Sequence, residues 1–187
     1  HLTMNKTLYF ISLIIATTIS FVGIKASYAT DIASDINLSA IFDGTANYNG
    51  SATLIIDESD TLTSITTSTN NQGIINFNNN NAYNLIVSGN IGTPTSSINS
   101  VTFTNHEDST LEAQGNTYIN SITTNANNEG ILIFSSSSAQ NTSATIGSDL
   151  LRLKEIQINQ ANGMTFDNDI YSTTLTINGS DGLTIDG

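Results

Sequence analysis

A repeat of about 55 residues is the feature that most limits what this chain can fold into. Segment 64–78 matches segment 121–135 at nine of fifteen positions, with an offset of 57 residues. The match places Gly73 in register with Gly130 and aligns apolar positions that low sequence complexity alone does not explain. Shorter matches follow at offsets of 55 and 53 residues, and a third, partial copy begins at Tyr171. Repeats of this size indicate a solenoid, a propeller or another array of supersecondary units.

Short apolar runs, bounded by Gly, Asn, Asp and Ser, predict a chain built of β-strands. Their centres lie roughly ten residues apart, and the interval widens to about fifteen near residues 92–99 and 135–144. No segment has a convincing helical period, and residues 150–158, the nearest candidate, alternate as a strand does. The thirteen predicted strands are centred on residues 54–56, 62–66, 74–77, 85–87, 101–103, 111, 119–123, 131–134, 146, 156–158, 164–166, 175–177 and 183–185.

Many short, evenly spaced strands are typical of a sandwich, a barrel or a solenoid, and the repeat decides between these folds. A unit of this length holds roughly two to three β-helical coils of about 20–25 residues each. A closed propeller would need about four blades or more, for which the chain is too short. We therefore predict an all-β protein in which residues 30–187 form a right-handed parallel β-helix. Ile and Leu would form its inner columns, and Asn and Gly would form corners such as 70–73 and 127–130.

The N-terminal segment has the three-part layout of a secretory signal peptide. Residues 1–3 precede the first Met and are interpreted as upstream sequence, and residues 4–29 contain a basic start, an apolar stretch and small residues before a cleavage site. We predict that signal peptidase cuts between Ala29 and Thr30. A retained membrane anchor is the alternative, but the uncharged stretch 8–24 is shorter than the ~20 apolar residues that span a bilayer.

The charge balance excludes several classes of partner. The full chain has four basic and sixteen acidic residues, a net charge of −12. Removal of the signal peptide would remove Lys6 and Lys25 and leave only Arg152 and Lys154 as basic residues. Nucleic acid is therefore excluded as a partner, because phosphate binding needs clustered Lys and Arg. The absence of Cys excludes disulfides, thiolate metal sites and thiol nucleophiles.

No residues form a recognisable catalytic, cofactor or metal motif. Oxygen ligands for calcium occur in segments 57–60, 167–169 and 178–182, but none has the spacing of a known calcium loop. The Asp pair in segment 167–169 is of the kind that glycosidases use, although any acidic chain contains such pairs. His106, the one His after the signal peptide, lies in a predicted polar turn. We predict no catalytic residue, no cofactor and no metal ion.

The repeats resemble the passenger regions of bacterial type V autotransporters. The motifs Gly-Ile-Ile-Asn-Phe-Asn (73–78), Gly-Asn-Ile-Gly-Thr (89–93) and Val-Thr-Phe-Thr-Asn (101–105) are closest to those of rickettsial surface cell antigens and outer membrane proteins A and B. The resemblance implies export by the Sec route, then passage from the periplasm to the outer membrane and the cell surface through a C-terminal translocator barrel. The sequence contains no such barrel, so we expect it to be an N-terminal fragment of a passenger or the product of a split gene.

The resemblance also implies a function. Such passengers fold outside the cell and bind a host-cell receptor or neighbouring surface proteins. We therefore expect a non-enzymatic, exported surface protein that acts in adhesion. Two alternatives remain open: a secreted β-helix enzyme that acts on polysaccharide, and a self-assembling fibre or S-layer subunit.

Overall fold

Parallel strands, stacked coil upon coil, form a β-solenoid of about seven turns, with 51% of residues in strands and 2% in helix. The computed structural model describes residues 29–41, 44–179 and 182–187. The predicted parallel β-helix is thereby confirmed as the fold class. The strands are β1 Thr30–Ile32, β2 Ile36–Asn37, β3 Thr45–Tyr48, β4 Thr53–Ile55, β5 Asp60–Leu62, β6 Ser64–Thr67, β7 Gln72–Asn78, β8 Asn84–Val87, β9 Ile98–Thr104, β10 Thr110–Ala113, β11 Ile119–Thr124, β12 Ile131–Phe134, β13 Gln140–Thr142, β14 Thr145–Ile146, β15 Leu153–Ile158, β16 Met164–Phe166, β17 Ser172–Ile177 and β18 Leu183–Ile185.

The strands form three faces, and the chain passes them in the same order in each coil. Face A contains β1, β3 and β6, then single bridges at Ile91 and Thr117, then β13, β16 and β18. Face B contains β2, β4, β7, β9, β11 and β14, and face C contains β5, β8, β10, β12, β15 and β17. All pairs of named strands are parallel. We number the coils by their face A member: β3 begins the second coil, β6 the third, Ile91 the fourth, Thr117 the fifth, β13 the sixth and β16 the seventh.

The core consists of columns of side chains that point inward at alternate positions of each strand. On face B, Ile75 pairs in register with Val101, Val101 with Ile122, and Ile122 with Ile146, and all four side chains are fully buried. Burial of each such side chain stabilises the fold by about 1.5–3 kcal/mol. Because every coil covers the apolar side of the previous one, the core runs the length of the solenoid.

Aromatic residues extend these columns beside the aliphatic ones. The rings of Phe77 and Phe103 stack with centroids 4.7 Å apart and an interplanar angle of 22°. Phe134 and Phe166 meet edge to face at 5.5 Å and 85°. Both arrangements are favoured by the aromatic quadrupole.

Each of the thirteen predicted strands coincides with strand or bridge structure, but the prediction for 62–66 was wrong in detail. Two strands, β5 and β6, lie there on different faces, with Thr63 between them at the corner from face C to face A. Leu62 and Ile65 both point inward although they are three residues apart, which the period of two in a continuous strand does not allow.

Four strands were not predicted: β1, β2, β3 and β13. They contain mainly Thr, Asn, Asp, Gln and Ala, with at most one large aliphatic residue each. Small or polar residues such as Ala46, Gln140 and Thr142 occupy inward positions in them, and Ile32 and Tyr48 are isolated large residues. A search for apolar runs therefore misses them.

The two predicted Asn/Gly corners have the same backbone geometry. Asn71 and Asn128 have φ of 63° and 71°, and Gly73 and Gly130 have φ of 83° and 79°. A Cβ on Gly73 would lie 2.4 Å from the ring of Tyr48, and a Cβ on Gly130 would lie 2.3 Å from the ring of Phe103. Glycine is thus required twice over at these corners, by the positive φ and by the aromatic ring of the preceding coil.

The sequence repeat does not correspond to a whole number of coils. Segment 64–78 crosses from face A to face B, segment 121–135 crosses from face B to face C, and the copy that begins at Tyr171 crosses from face C to face A. Each repeat therefore advances the chain by two coils and one face. The repeated unit is a strand, a corner and the next strand, and it is compatible with all three corners of the solenoid.

The two ends of the solenoid differ. At the N-terminal end, a 3₁₀ turn, Leu38–Ala40, buries Leu38 against the core, and the carboxylate of Asp57 accepts bonds from the Ser39 amide (3.0 Å) and hydroxyl (2.7 Å). Partial burial alone would raise the pKa of Asp57, but the bonds from Ser39 outweigh it and hold the pKa below its usual value.

At the C-terminal end, side chains that point toward the core remain partly exposed. Leu175, Ile177, Leu183 and Ile185 of β17 and β18 are 38%, 50%, 36% and 46% exposed. In the described part of the chain, β17 and β18 have a strand partner on one side only.

We predict that Gly130→Ala destabilises the protein by about 2–4 kcal/mol, because Ala is disfavoured at positive φ and its Cβ would collide with Phe103. Gly50→Ala is the matched control: Gly50 lies in a bend, and its nearest neighbour to an added Cβ is 4.0 Å away. The free energy of unfolding of this variant should change by less than about 0.5 kcal/mol. Urea denaturation of the full-length variants measures both values. Equal losses in the two variants would show that the corner does not need glycine.

We also predict that the Ser39–Asp57 contact makes the N-terminal end sensitive to acid. The pKa of Asp57 is lower in the folded state, so its contribution to stability is complete above the usual Asp value and is lost as the pH falls through the lowered pKa. Asp57→Asn should therefore lower Tm slightly at pH 7 and reduce the loss of Tm below about pH 4. Glu58→Gln, at an exposed neighbour, serves as the control, and a Tm profile of Asp57→Asn that parallels the wild type at every pH would contradict the assignment.

Candidate functional site

An open polar groove runs along the corner between face A and face B. It encloses about 630 Å³, which lies in the range of pockets that bind small ligands. The third to the seventh coils each contribute side chains to it, so the groove follows the solenoid axis. We call it the corner groove. It is lined by Asn70, Asn71, Thr93, Pro94, Ser97, Tyr118, Asn120, Asn141, Ser143 and Asp167.

One wall of the groove is a tight turn in the fourth coil. Thr93 and Ser96 exchange backbone hydrogen bonds of 2.9 and 3.2 Å, and the Thr93 hydroxyl accepts a third bond from the Ser96 amide at 3.0 Å. Pro94 occupies the first central position, where its fixed φ favours a turn. Gly92 precedes the turn with φ of 73°, and a Cβ there would lie 2.4 Å from the carbonyl oxygen of Tyr118. The turn is therefore pressed against the fifth coil.

The same turn recurs one face further along the solenoid. Gly147 has φ of 66°, Ser148 and Leu151 bond across the turn at 2.9 Å, and Tyr171 takes the place of Tyr118. In that copy the turn lies at the corner between face B and face C. The two copies of the turn therefore lie at different corners of the solenoid.

Three asparagine amides are held in place by Ser97. Its hydroxyl lies 2.8, 2.9 and 3.0 Å from the Oδ1 atoms of Asn70, Asn71 and Asn120. Asn70 Oδ1 accepts from the Ser97 backbone amide (2.9 Å), and Asn71 Oδ1 accepts from Asn120 Nδ2 (2.7 Å). The Oδ1 atoms of Asn70 and Asn71 thus each have another donor. A hydroxyl carries a single hydrogen, and the hydrogen of Ser97 Oγ can therefore be donated to Asn120 Oδ1. Each of the three amides therefore has a defined orientation.

The groove continues across the sixth and seventh coils. Asn141 Nδ2 donates to Asp167 Oδ1 at 3.0 Å, and Asn168 Nδ2 donates to the Ser143 carbonyl at 2.8 Å. On the fifth coil, Tyr118 is half-buried and is anchored by its backbone, which donates to Ile91 O at 2.7 Å and accepts from Ile98 N at 2.9 Å. The groove thus has an aromatic residue near its centre and amides on both sides.

The two basic residues of the described chain lie outside the groove and are already paired. Arg152 is 2.7 Å from Asp149, and Lys154 contacts Asp108 at 2.5 Å and Glu107 at 3.4 Å. The hydrogen bond from Lys154 is the main reason why the pKa of Asp108 is lowered, and the same bond raises the pKa of Lys154. Because one carboxylate and no cation line the groove, it favours a neutral or cationic ligand over an anion.

Side chains of the segments that were considered above as sources of calcium ligands form hydrogen bonds in the structure. In segment 57–60, the Asp57 carboxylate accepts hydrogen bonds from Ser39. The Ser59 hydroxyl accepts a hydrogen bond from the backbone N–H of Asn84 at 3.0 Å. Of the Asp pair in segment 167–169, Asp167 alone lines the groove. Asp181, in segment 178–182, lies outside the described residues. Within the described ranges, no three His, Asp or Glu side chains come together as a set of metal ligands.

The structure also describes His106 and the two residues at the predicted cleavage site. His106 lies in a turn, where its Nδ1 accepts from the Asp108 amide at 3.0 Å. Ala29 is exposed, and Thr30 is the first residue of β1. The predicted upstream residues 1–3 and the signal peptide up to residue 28 lie outside the described residues. Across residues 29–41, 44–179 and 182–187, the structure has no helix with the length and apolar character of a membrane span.

The corner groove was not predicted from the sequence. Its residues are up to 97 positions apart, from Asn70 to Asp167, and come together only through the register of the coils. The wider strand interval near residues 92–99 was the available signal, because it marks the turn that forms one wall.

Comparison with known proteins identifies no relative. No family model, no curated protein and no solved structure matches this chain.

Proposed function

We propose that this protein is an exported, non-catalytic surface protein, the passenger part of an autotransporter, which acts in adhesion to host cells. The observation that supports adhesion best is the corner groove, a polar surface that runs along five coils of the solenoid. Extended surfaces of this kind are what solenoid proteins use to bind partners. The predicted signal peptide and the resemblance of the repeats to passenger regions support export.

The charge distribution limits what the surface can bind. The chain from Thr30 onward has two basic residues against sixteen acidic ones, and both basic residues are paired with carboxylates. Such a surface repels anionic lipid and polyanions at long range. Attachment therefore depends on short-range hydrogen bonds and packing with a neutral or cationic partner.

Polysaccharide cleavage is less well supported. Glycosidases use two carboxyl groups on either side of the scissile bond. Among the described residues, Asp167 is the single carboxylate that lines the groove, and its Oδ1 already accepts a bond from Asn141. The groove therefore favours binding over hydrolysis.

One experiment tests export and adhesion together. The full chain is expressed in a Gram-negative host, the exported species is purified, and its mass is determined before it is labelled and added to cultured epithelial cells. We expect a species that begins at Thr30 and binds the cells saturably, with competition by unlabelled protein. The exported species unfolded by heat is the control. Retention of the leader would contradict export, and binding no greater than that of the unfolded control would contradict adhesion.

A further inference from the structure

We infer that the corner groove binds a neutral oligosaccharide, which lies along the solenoid axis and contacts Tyr118 and the amides of Asn70, Asn71, Asn120 and Asn141. This inference rests on the proposed adhesive function and names the chemical class of its ligand.

The hydrogen-bonding capacity of the groove fits sugar hydroxyls. A hydroxyl both donates and accepts, and an amide side chain offers one acceptor oxygen and two donor hydrogens. The Ser97 network occupies the Oδ1 atoms of Asn70 and Asn71, whereas their Nδ2 groups have no acceptor among the described residues. These two groups are exposed with their side chains, so they can donate to a ligand.

Preorganisation strengthens this assignment. Exposed Asn side chains normally lose rotamer freedom when they bind, which costs about 0.5–1.5 kcal/mol for each immobilised side chain. In the groove, Asn70, Asn71 and Asn120 are already fixed by Ser97, and Asn141 is fixed by Asp167. Most of that cost is therefore met when the protein folds.

The dimensions of the groove favour a chain of sugars over a single ring. Coils are spaced by about 4.8 Å, the separation of hydrogen-bonded strands, so five coils give the groove a length of about 19 Å. One spacing is close to the length of a pyranose ring. Polar side chains then recur once per ring, and Tyr118, on the middle coil, provides aromatic surface for the apolar side of a sugar.

The charge of the groove selects neutral sugars. Asp167 and the overall acidic surface oppose sulfated or carboxylated glycans, and neither Arg152 nor Lys154 lines the groove to compensate. Sugar hydroxyls need no counter-charge. The same argument makes anionic glycans the informative negative probes.

The test measures binding of purified full chain to chitopentaose, maltopentaose and a tetrasaccharide of galactose and N-acetylglucosamine, with a chondroitin sulfate hexasaccharide as the anionic probe, by calorimetry. We expect binding to at least one neutral oligosaccharide and none to the sulfated one. Asn120→Ala and Ser97→Ala should each weaken that binding at least about tenfold, because both disrupt the fixed amides. Asn159→Ala, at an exposed corner amide that bonds to Asn178 outside the groove, should bind as the wild type does.

Circular dichroism and Tm of each variant separate loss of binding from loss of fold. Absence of binding to every neutral probe, or equal binding by Asn120→Ala, Ser97→Ala and the wild type, would overturn the inference. If cell adhesion persists while these probes fail, adhesion stands and the groove assignment falls. If oligosaccharide binding occurs without cell adhesion, the proposed function falls and the groove assignment stands.

Discussion

Everything in this structure depends on the stacking of each coil on the one before it. A single coil has no complete core of its own, and its inward side chains are buried by the coils on either side of it. Parallel backbone pairing sets the spacing, and the columns of side chains set the register, because a shift of one residue would turn the apolar positions outward. The corners serve the same stacking. Gly130 lets the chain turn, and it also leaves room for the ring of Phe103 in the preceding coil, so corner and core are one packing unit.

The relation between the sequence repeat and the coil explains how a regular solenoid is built from coils of unequal length. Coils range from 16 residues, between Ile32 and Tyr48, to 26, between Ile75 and Val101. What repeats is the strand–corner–strand unit, which moves on by two coils and one face each time. The first two copies lie at corners of the same backbone geometry on different faces, so one unit serves more than one corner. One consequence is that successive copies of a motif lie on different faces and do not form an array along one face.

The sequence predicts this fold well where side chains are apolar and poorly where they are polar. Alternating Ile, Leu and Phe indicate strands, and the Asn-Asn-x-Gly motif at 70–73 and 127–130 indicates corners with positive φ. Strands such as β13 escape detection because Thr and Gln fill their inward positions. The corner groove could not be predicted from the sequence, for a different reason. Whether Asn70 lies near Asn120 depends on the lengths of all the coils between them. No local sequence pattern shows that total length.

Stability and binding are coupled in such a site. The amides of the third to fifth coils are held by a network that spans three coils, so they keep their orientation as long as those coils stay in register. Loss of register at any one of these coils would release all three amides. A ligand that binds the ordered amides would in turn stabilise the stacking of these coils, because it binds the folded state alone.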